Sequence, residues 1–172
     1  SRAYGGGIVG YPYYQVNIIG CVNYGTISTE AGKEFVGGIA GAGAELIENC
    51  HNYGSVFGGT DVGGIVGSLS GSSNTTYCMI GCSNHGAVSS SFSADRGTLD
   101  LSMGYTGGLA GTIGYHVIIE GCYNAGSVTS DWIGVGGIVG YLGSDIYIAN
   151  TYNVGKVSST YTGEWPLCAG SV

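Results

Sequence analysis

The chain is built on a ten-residue pattern, Ile47-Glu48-Asn49-Cys50-His51-Asn52-Tyr53-Gly54-Ser55-Val56, that occurs five times in 172 residues. Each copy has cysteine, or threonine in the fifth copy, three positions after an apolar residue, then asparagine, glycine and a β-branched residue at intervals of two. The cysteine position holds Cys21, Cys50, Cys82, Cys122 and, in the fifth copy, Thr151. The asparagine position holds Asn23, Asn52, Asn84, Asn124 and Asn153. Repetition of this kind predicts stacked structural repeats.

A second block, Gly-Gly followed by two apolar residues and glycine, precedes every copy. The block starts at Gly6, Gly37, Gly63, Gly107 and Gly136. The cysteine positions are separated by 29 (21 to 50), 32 (50 to 82), 40 (82 to 122) and 29 (122 to 151) residues. Constant blocks with variable separations indicate that the connections absorb the insertions.

The apolar runs are two to four residues long and end at glycine, which favours short strands over helices. We therefore expect an all-β parallel β-solenoid, or β-helix, of about five coils with three short strands per coil. The handedness rule for parallel crossovers predicts a right-handed coil. The whole chain, 1–172, is expected to be one repeat domain. Its repeats span approximately 5–36, 37–62, 63–106, 107–135 and 136–160, with an incomplete sixth coil at 161–172.

Stacking places residues of one repeat position above each other. The cysteines are then expected to form a buried column of small apolar side chains, although a disulfide within it is an alternative. The asparagines are expected to form a hydrogen-bonded ladder at a turn, and the glycine two residues later is expected to have a positive φ. Two apolar columns are expected to form the core: Ile8, Ile39, Ile65, Leu109 and Ile138, and Ile27, Val56, Val88, Val128 and Val157.

The composition argues against several function classes. The net charge is −7, and four basic residues are scattered along the chain, which disfavours nucleic-acid binding. Apolar runs are too short for a membrane span. Cys78, Cys82 and His85 have a spacing like that of zinc ligands, but Cys82 belongs to the repeat, so no metal site and no cofactor is expected. No nucleophile motif is present, and no catalytic residue is expected.

The third repeat carries two insertions, residues 70–77 and 89–105. Insertions in repeat proteins are often the variable or binding surface. The predicted candidate binding surface consists of Tyr77, Asp95, Arg96, Asp100 and Tyr105. Asp95 and Asp100 are also the best candidates for the paired carboxylates of a carbohydrate-cleaving site. The 14 tyrosines suit either contacts with sugars and proteins or stacking along the surface.

The pairing of Gly-Gly-(Ile/Leu)-(Val/Ala)-Gly with Cys-x-Asn-x-Gly-x-Val resembles the GLUG motif, five times over. That resemblance implies a bacterial extracellular or cell-surface protein, such as adhesin-like proteins and the accessory regions of immunoglobulin A peptidases. The leading hypothesis is a non-catalytic stalk or adhesive module that contacts a protein or glycan at a cell surface. The other two are a subunit that stacks end to end with its own copies into fibres, and a carbohydrate-active enzyme. The chain is expected to be either an excerpt of a longer array or such a fibre subunit.

Overall fold

The computed structural model describes residues 3–13, 15–29, 34–91, 104–162 and 168–170. Every regular element in these ranges is a β-strand, and all paired strands run parallel. The strands stack coil upon coil into sheets that run along the molecule. The chain is therefore a parallel β-solenoid of about five turns, as the repeat pattern predicts.

The strands of the first coil are Ala3–Gly6 (β1), Asn17–Ile19 (β2), Val22–Asn23 (β3) and Ile27–Ser28 (β4). Those of the second are Glu34–Gly37 (β5), Ala40–Ala42 (β6), Leu46–Glu48 (β7), His51–Asn52 (β8) and Val56–Gly58 (β9). Those of the third are Asp61–Gly63 (β10), Val66–Leu69 (β11), Tyr77–Ile80 (β12), Ser83–Asn84 (β13) and Val88–Ser90 (β14). The fourth coil has Tyr105–Gly107 (β15), Ala110–Glu120 (β16), Tyr123–Asn124 (β17) and Val128–Ser130 (β18). The fifth has Gly134–Gly136 (β19), Val139–Ala149 (β20), Tyr152–Asn153 (β21) and Val157–Ser159 (β22), followed by Cys168–Gly170 (β23).

The strands form four sheets, in the orders β1-β5-β10-β15-β19-β23, β2-β7-β12-β16-β11-β6 with β20 beside β16, β21-β17-β13-β8-β3, and β22-β18-β14-β9-β4. The expectation of three strands per coil is wrong, because the second and third coils each have five. The asparagine segments form strands of only two residues, too short to leave an alternating pattern in the sequence. In the fourth and fifth coils, two of the five strands merge into one 11-residue strand.

The core lies inside the coils, where the repeat columns place it. Ile39, Ile65 and Leu109 are fully buried, whereas Ile8 is 45% exposed and Ile138 is half-buried because they belong to the first and last coils. In the second column, Val56, Val88 and Val128 are buried, and Ile27 and Val157 are half-buried. The column positions predicted from the sequence are therefore confirmed, with burial that decreases towards both ends.

The glycines after the asparagines have a different role from the one expected. A positive φ is found one residue before the cysteine position, at Gly20, Asn49, Gly81, Gly121 and Asn150. None of the glycines two residues after the asparagines has a positive φ. A Cβ on Gly54, Gly86 or Gly126 would instead overlap the carbonyl oxygen of the equivalent glycine in the preceding coil. These glycines are therefore required by close contact between coils.

Candidate functional site

The lateral surface of the first three coils contains an open groove with a volume of about 310 Å³. Its lining residues are Tyr11, Pro12, Tyr13, Ala42, Gly43, Ser68, Ser70 and Tyr77. This size lies at the lower end of the range for small-molecule sites in proteins. The lining combines three tyrosine rings with small residues, and no aspartate, glutamate, lysine or arginine is among its described residues. The groove is the candidate functional site.

The groove forms because neighbouring coils use connections of unequal length. Val9, Ala40, Val66, Ala110 and Val139 stack in one column. Asn17, Leu46, Cys78, Ile118 and Tyr147 stack in the next one. Along the chain, the two column positions of one coil are eight residues apart in coils one (9 to 17), four (110 to 118) and five (139 to 147). It is six in coil two (40 to 46) and twelve in coil three (66 to 78), so the short second connection lies between two longer ones.

Short-range contacts position the groove residues. The ring of Tyr11 packs on the ring of Tyr4, with centroids 4.5 Å apart, and lies 6.3 Å from the ring of Tyr13. On the opposite side, the Ser70 hydroxyl accepts a hydrogen bond from the Tyr115 amide at 3.2 Å. The insertion that follows turns back on itself through an antiparallel bridge between Ser72 and Thr75. The groove is therefore bounded by ordered segments.

The residues predicted as a binding surface do not all meet at this groove. Tyr77 lines it, at the start of β12. Tyr105 belongs to β15 in another sheet, and its ring lies 4.7 Å from that of Tyr141 in β20. Asp95, Arg96 and Asp100 lie outside the described residues. The prediction also omitted two groove residues, Tyr11 and Tyr13, although the Tyr-Pro-Tyr-Tyr run at 11–14 was a visible signal.

The asparagine column forms a continuous hydrogen-bonded ladder. The Nδ2 atoms of Asn23, Asn52 and Asn84 each donate to the Oδ1 atom of the next asparagine at 2.8 Å, and Asn124 donates to Asn153 at 2.7 Å. Each Nδ2 also donates to the carbonyl oxygen of the glycine two residues later, at 2.8 to 2.9 Å. The central asparagines are completely buried. The ladder therefore stabilises the stack and offers no ligand site.

The cysteine column is also internal. Cys21, Cys50, Cys78, Cys82 and Cys122 are free thiols. The Sγ atom of Cys82 donates to the carbonyl oxygens of Ile47 and Ile80 at 3.4 Å. Hydrogen bonding to the Cys122 and Cys50 thiols, together with burial, raises the pKa of Cys82 well above the ordinary thiol value. The neutral Cys82 thiol therefore acts as a packing group, since the nucleophilic form of cysteine is the thiolate. Hydrogen bonds to Cys82 lower the pKa of Cys122 and lower that of Cys50 to about 6.

A strip of aromatic rings follows the asparagine corner along the surface. Tyr24 stacks on Tyr53 with centroids 5.1 Å apart, and Tyr53 stacks on His85 at 4.6 Å. His85 meets Tyr123 edge to face, and Tyr123 stacks on Tyr152 at 5.3 Å. Stacking pairs the facing ring surfaces, although Tyr24 is 77% exposed and Tyr152 is 54% exposed. The strip therefore stabilises neighbouring coils, whereas Tyr11, Tyr13 and Tyr77 line a concave site.

Two histidines from adjacent coils meet at Ser83, which their different sequence offsets did not reveal. The Ser83 hydroxyl lies 2.7 Å from His51 Nδ1 and 3.2 Å from His85 Nε2. The Tyr123 hydroxyl lies 3.1 Å from the same Nε2 atom. Ser83 is completely buried, so its oxygen cannot reach a substrate carbonyl. The arrangement is a hydrogen-bond network between coils.

Two further features bear on function. Among the described side chains, no group of three or more His, Cys, Asp or Glu residues is arranged to hold a metal ion. The described ranges also contain no helix that could cross a membrane.

The buried carboxylate Asp61 accepts a hydrogen bond from the Thr112 hydroxyl at 2.9 Å, which links two sheets inside the stack.

The fold and the groove define a parallel β-solenoid with one irregular lateral face, and comparison with solved structures agrees with this class. The chain is similar to a crystal structure from Bacteroides ovatus of a protein provisionally named immunoglobulin A1 protease. The TM-score is 0.67 at 24% sequence identity, over 92% of this chain and 49% of that one. This chain thus spans about half the length of that protein, and the similarity shows a shared fold. No protein-family model matches the chain, and a search of curated proteins found no match.

Proposed function

We propose that this chain is a non-catalytic β-solenoid module of a bacterial extracellular or cell-surface protein, and that it presents an adhesive binding surface on its lateral face. The observation that carries the proposal is the tyrosine-lined groove of the first three coils. The rest of the repeat is occupied by internal ladders that hold the coils together. The groove lies where the coils differ in length, and in repeat proteins such irregular segments often form the binding surface.

The exposure of the groove tyrosines supports a binding role. Tyr13 is 71% exposed and Tyr11 is 53% exposed, although both belong to the most aromatic segment of the chain. Exposed tyrosines provide large, rigid contact areas with a polar end, a combination common in recognition surfaces. The regular stack behind them supplies a rigid support, as a stalk would.

The proposed setting rests on two resemblances. The paired glycine and Cys-x-Asn-x-Gly blocks resemble the GLUG motif, which implies secreted or surface-attached bacterial proteins. The similar crystal structure is that of a bacterial protein whose provisional name refers to the cleavage of an antibody. Both resemblances support an extracellular accessory module.

Binding of the fluorescently labelled chain to cultured epithelial cells, measured by flow cytometry, tests the proposal. The double variant Tyr11→Ala/Tyr13→Ala should reduce saturable binding about tenfold or more, because it removes two contact residues at one site. Tyr147→Ala is the matched control, since Tyr147 is 59% exposed and lies outside the groove. Absence of saturable binding, or equal binding by the double variant, would contradict an adhesive role for the groove.

A second candidate function is that of a fibre subunit, in which copies stack end to end. In the first coil the two stacked column positions, 9 and 17, are eight residues apart, and in the fifth coil the equivalent positions, 139 and 147, are also eight residues apart. The first coil of one copy would therefore match the length of the outer edge of β20 in the next copy. Within the described residues, β20 pairs only with β16. An 11-residue strand edge that no described strand covers is a template for a further strand.

Negative-stain electron microscopy over a concentration series tests the fibre alternative. Filaments one solenoid wide that disappear in the variant Ile148→Lys would support it, because a lysine on the partly exposed end of the last coil would be buried by the next copy. Dispersed particles at every concentration would remove it. Neither result depends on the ligand of the groove.

A further inference from the structure

We propose that the groove binds a neutral glycan, with tyrosine rings against the apolar faces of pyranose units. This inference rests on the proposed function, because it names the ligand class of the same site.

The absence of charge selects against ionic ligands. The described residues of the groove lining include no acidic or basic side chain, and the chain carries a net charge of −7. A sialylated or sulfated glycan would meet no cation in the groove and would approach a negative protein. A cationic peptide would find no carboxylate partner among the lining residues. The groove therefore suits an uncharged ligand.

The lining pairs flat apolar surfaces with hydroxyl groups. Tyr11, Tyr13 and Tyr77 provide rings, and Pro12 adds a further apolar surface. Ser68 lines the opposite wall half-buried, and its hydroxyl makes no hydrogen bond to any other described residue. A pyranose has the matching pattern, an apolar face of C–H groups surrounded by hydroxyls that donate and accept. Ring contact on one side and a hydroxyl partner on the other would therefore orient one sugar unit.

The strands around the groove argue against an extended peptide. Peptides commonly bind by adding a strand to a free sheet edge. The strand that carries Ser68, β11, is paired on one side with β6 and on the other with β16. Its backbone N–H and C=O groups are therefore engaged by the neighbouring coils. At this strand, recognition uses side chains such as Ser68, which favours a ligand rich in its own hydroxyl groups.

The groove is open to solvent along the side of the solenoid rather than enclosed. Tyr13 and Ser70 are exposed, and the groove crosses three coils. An open site admits an internal unit of a linked chain, whereas an enclosed pocket admits only a free sugar or a chain end. The inferred ligand is therefore a segment of a neutral oligosaccharide or polysaccharide.

An array of immobilised oligosaccharides, with neutral, sialylated and sulfated members, tests the inference with the labelled chain. We expect binding to neutral members, a loss of about tenfold or more in Tyr11→Ala/Tyr13→Ala, and retention in Tyr147→Ala. Tyr13→Phe should retain most of the binding, because the ring face remains. Melting curves of all variants check that the fold is intact.

The results separate the glycan inference from the proposed function. If the groove variants lose cell binding but no neutral oligosaccharide binds or competes, the adhesive function stands and the glycan inference is overturned. If neutral glycans bind through the groove but cells do not bind, the glycan inference stands and the adhesive role falls. Preference for charged glycans, or glycan binding unchanged in the double variant, would overturn the inference directly.

Discussion

Gly64 and Asn84 come from the two recurring blocks of one repeat and meet inside the coil. A Cβ built on Gly64 would lie 2.6 Å from the Asn84 Nδ2 atom and would also overlap the carbonyl oxygen of Gly108 in the next coil. The second glycine of each Gly-Gly block faces the asparagine of its own repeat in the same way, at Gly7, Gly38, Gly64, Gly108 and Gly137. The two blocks recur together because each supplies one side of this contact.

Gly64→Ala should therefore destabilise the fold. The added methyl group has backbone and a completely buried amide as neighbours, neither of which can move without breaking the ladder. We expect the free energy of unfolding to fall by about 2–4 kcal/mol, measured by urea denaturation. Gly25→Ala is the control, since its Cβ would have only one neighbour, the Asn23 Oδ1 atom at 3.5 Å. Equal stability of the two variants would contradict the contact.

Asn84→Asp should break the ladder at its centre. The Asn84 amide donates to Gly86 and to Asn124, and a carboxylate would present acceptors to both oxygens. We expect a loss of about 3–5 kcal/mol in unfolding free energy at neutral pH. In Asn153→Asp only the bond to Gly155 is lost, at a half-buried position, so about 1 kcal/mol is expected. Similar losses in both variants would argue against a continuous ladder.

Cys82 should make stability decrease at alkaline pH. Its pKa is raised in the native state from the ordinary value of 9.0, so above pH 9 the unfolded chain releases this proton while the native column retains it. Stability from this residue is thus present below pH 9 and is lost as the pH rises further. Urea denaturation from pH 7 to 10.5 should give a smaller decrease in Cys82→Ser than in the wild type. An identical decrease in both would contradict a protonated buried thiol.

Tyr53→Ala should weaken the aromatic strip. Tyr53 stacks on Tyr24 and His85, and both contacts would be lost. A loss of about 2 kcal/mol in unfolding free energy is expected, whereas Tyr53→Phe should change it by less than about 0.5 kcal/mol. Cell binding should be the same in all three proteins, because Tyr53 is not a groove residue. Loss of binding in Tyr53→Ala at unchanged stability would move the site to the strip.

The sequence predicts the solenoid well because every coil must place the same side chains at the same depth. Cys82 and Val88 are assigned to internal columns from the sequence alone and Asn84 to a ladder at a turn, and all three side chains are buried. The reason for a repeated glycine was harder to predict. Gly86 is required by the neighbouring coil and Gly81 by its own positive φ, and in a sequence both look like turn glycines.

The candidate site could be predicted only in part. Tyr77 was identified because it ends an insertion in the third repeat, whereas the other wall comes from Tyr11 and Tyr13 in the first. Their contribution depends on the second coil being two residues shorter than the first between the same two columns. That relationship follows from the register of pairing, which repeat spacing alone does not give. Asp95, Arg96 and Asp100 remain a sequence prediction.

Photo-crosslinking from the groove tests the central claim most directly. The variant Tyr13→p-benzoylphenylalanine, irradiated on epithelial cells, should form a crosslinked product at the cell surface, and excess unlabelled wild-type chain should suppress it. The variant Tyr147→p-benzoylphenylalanine, with the same probe on an exposed strand outside the groove, should form none. Equal crosslinking from both positions, or none from position 13, would contradict a binding site in the tyrosine-lined groove.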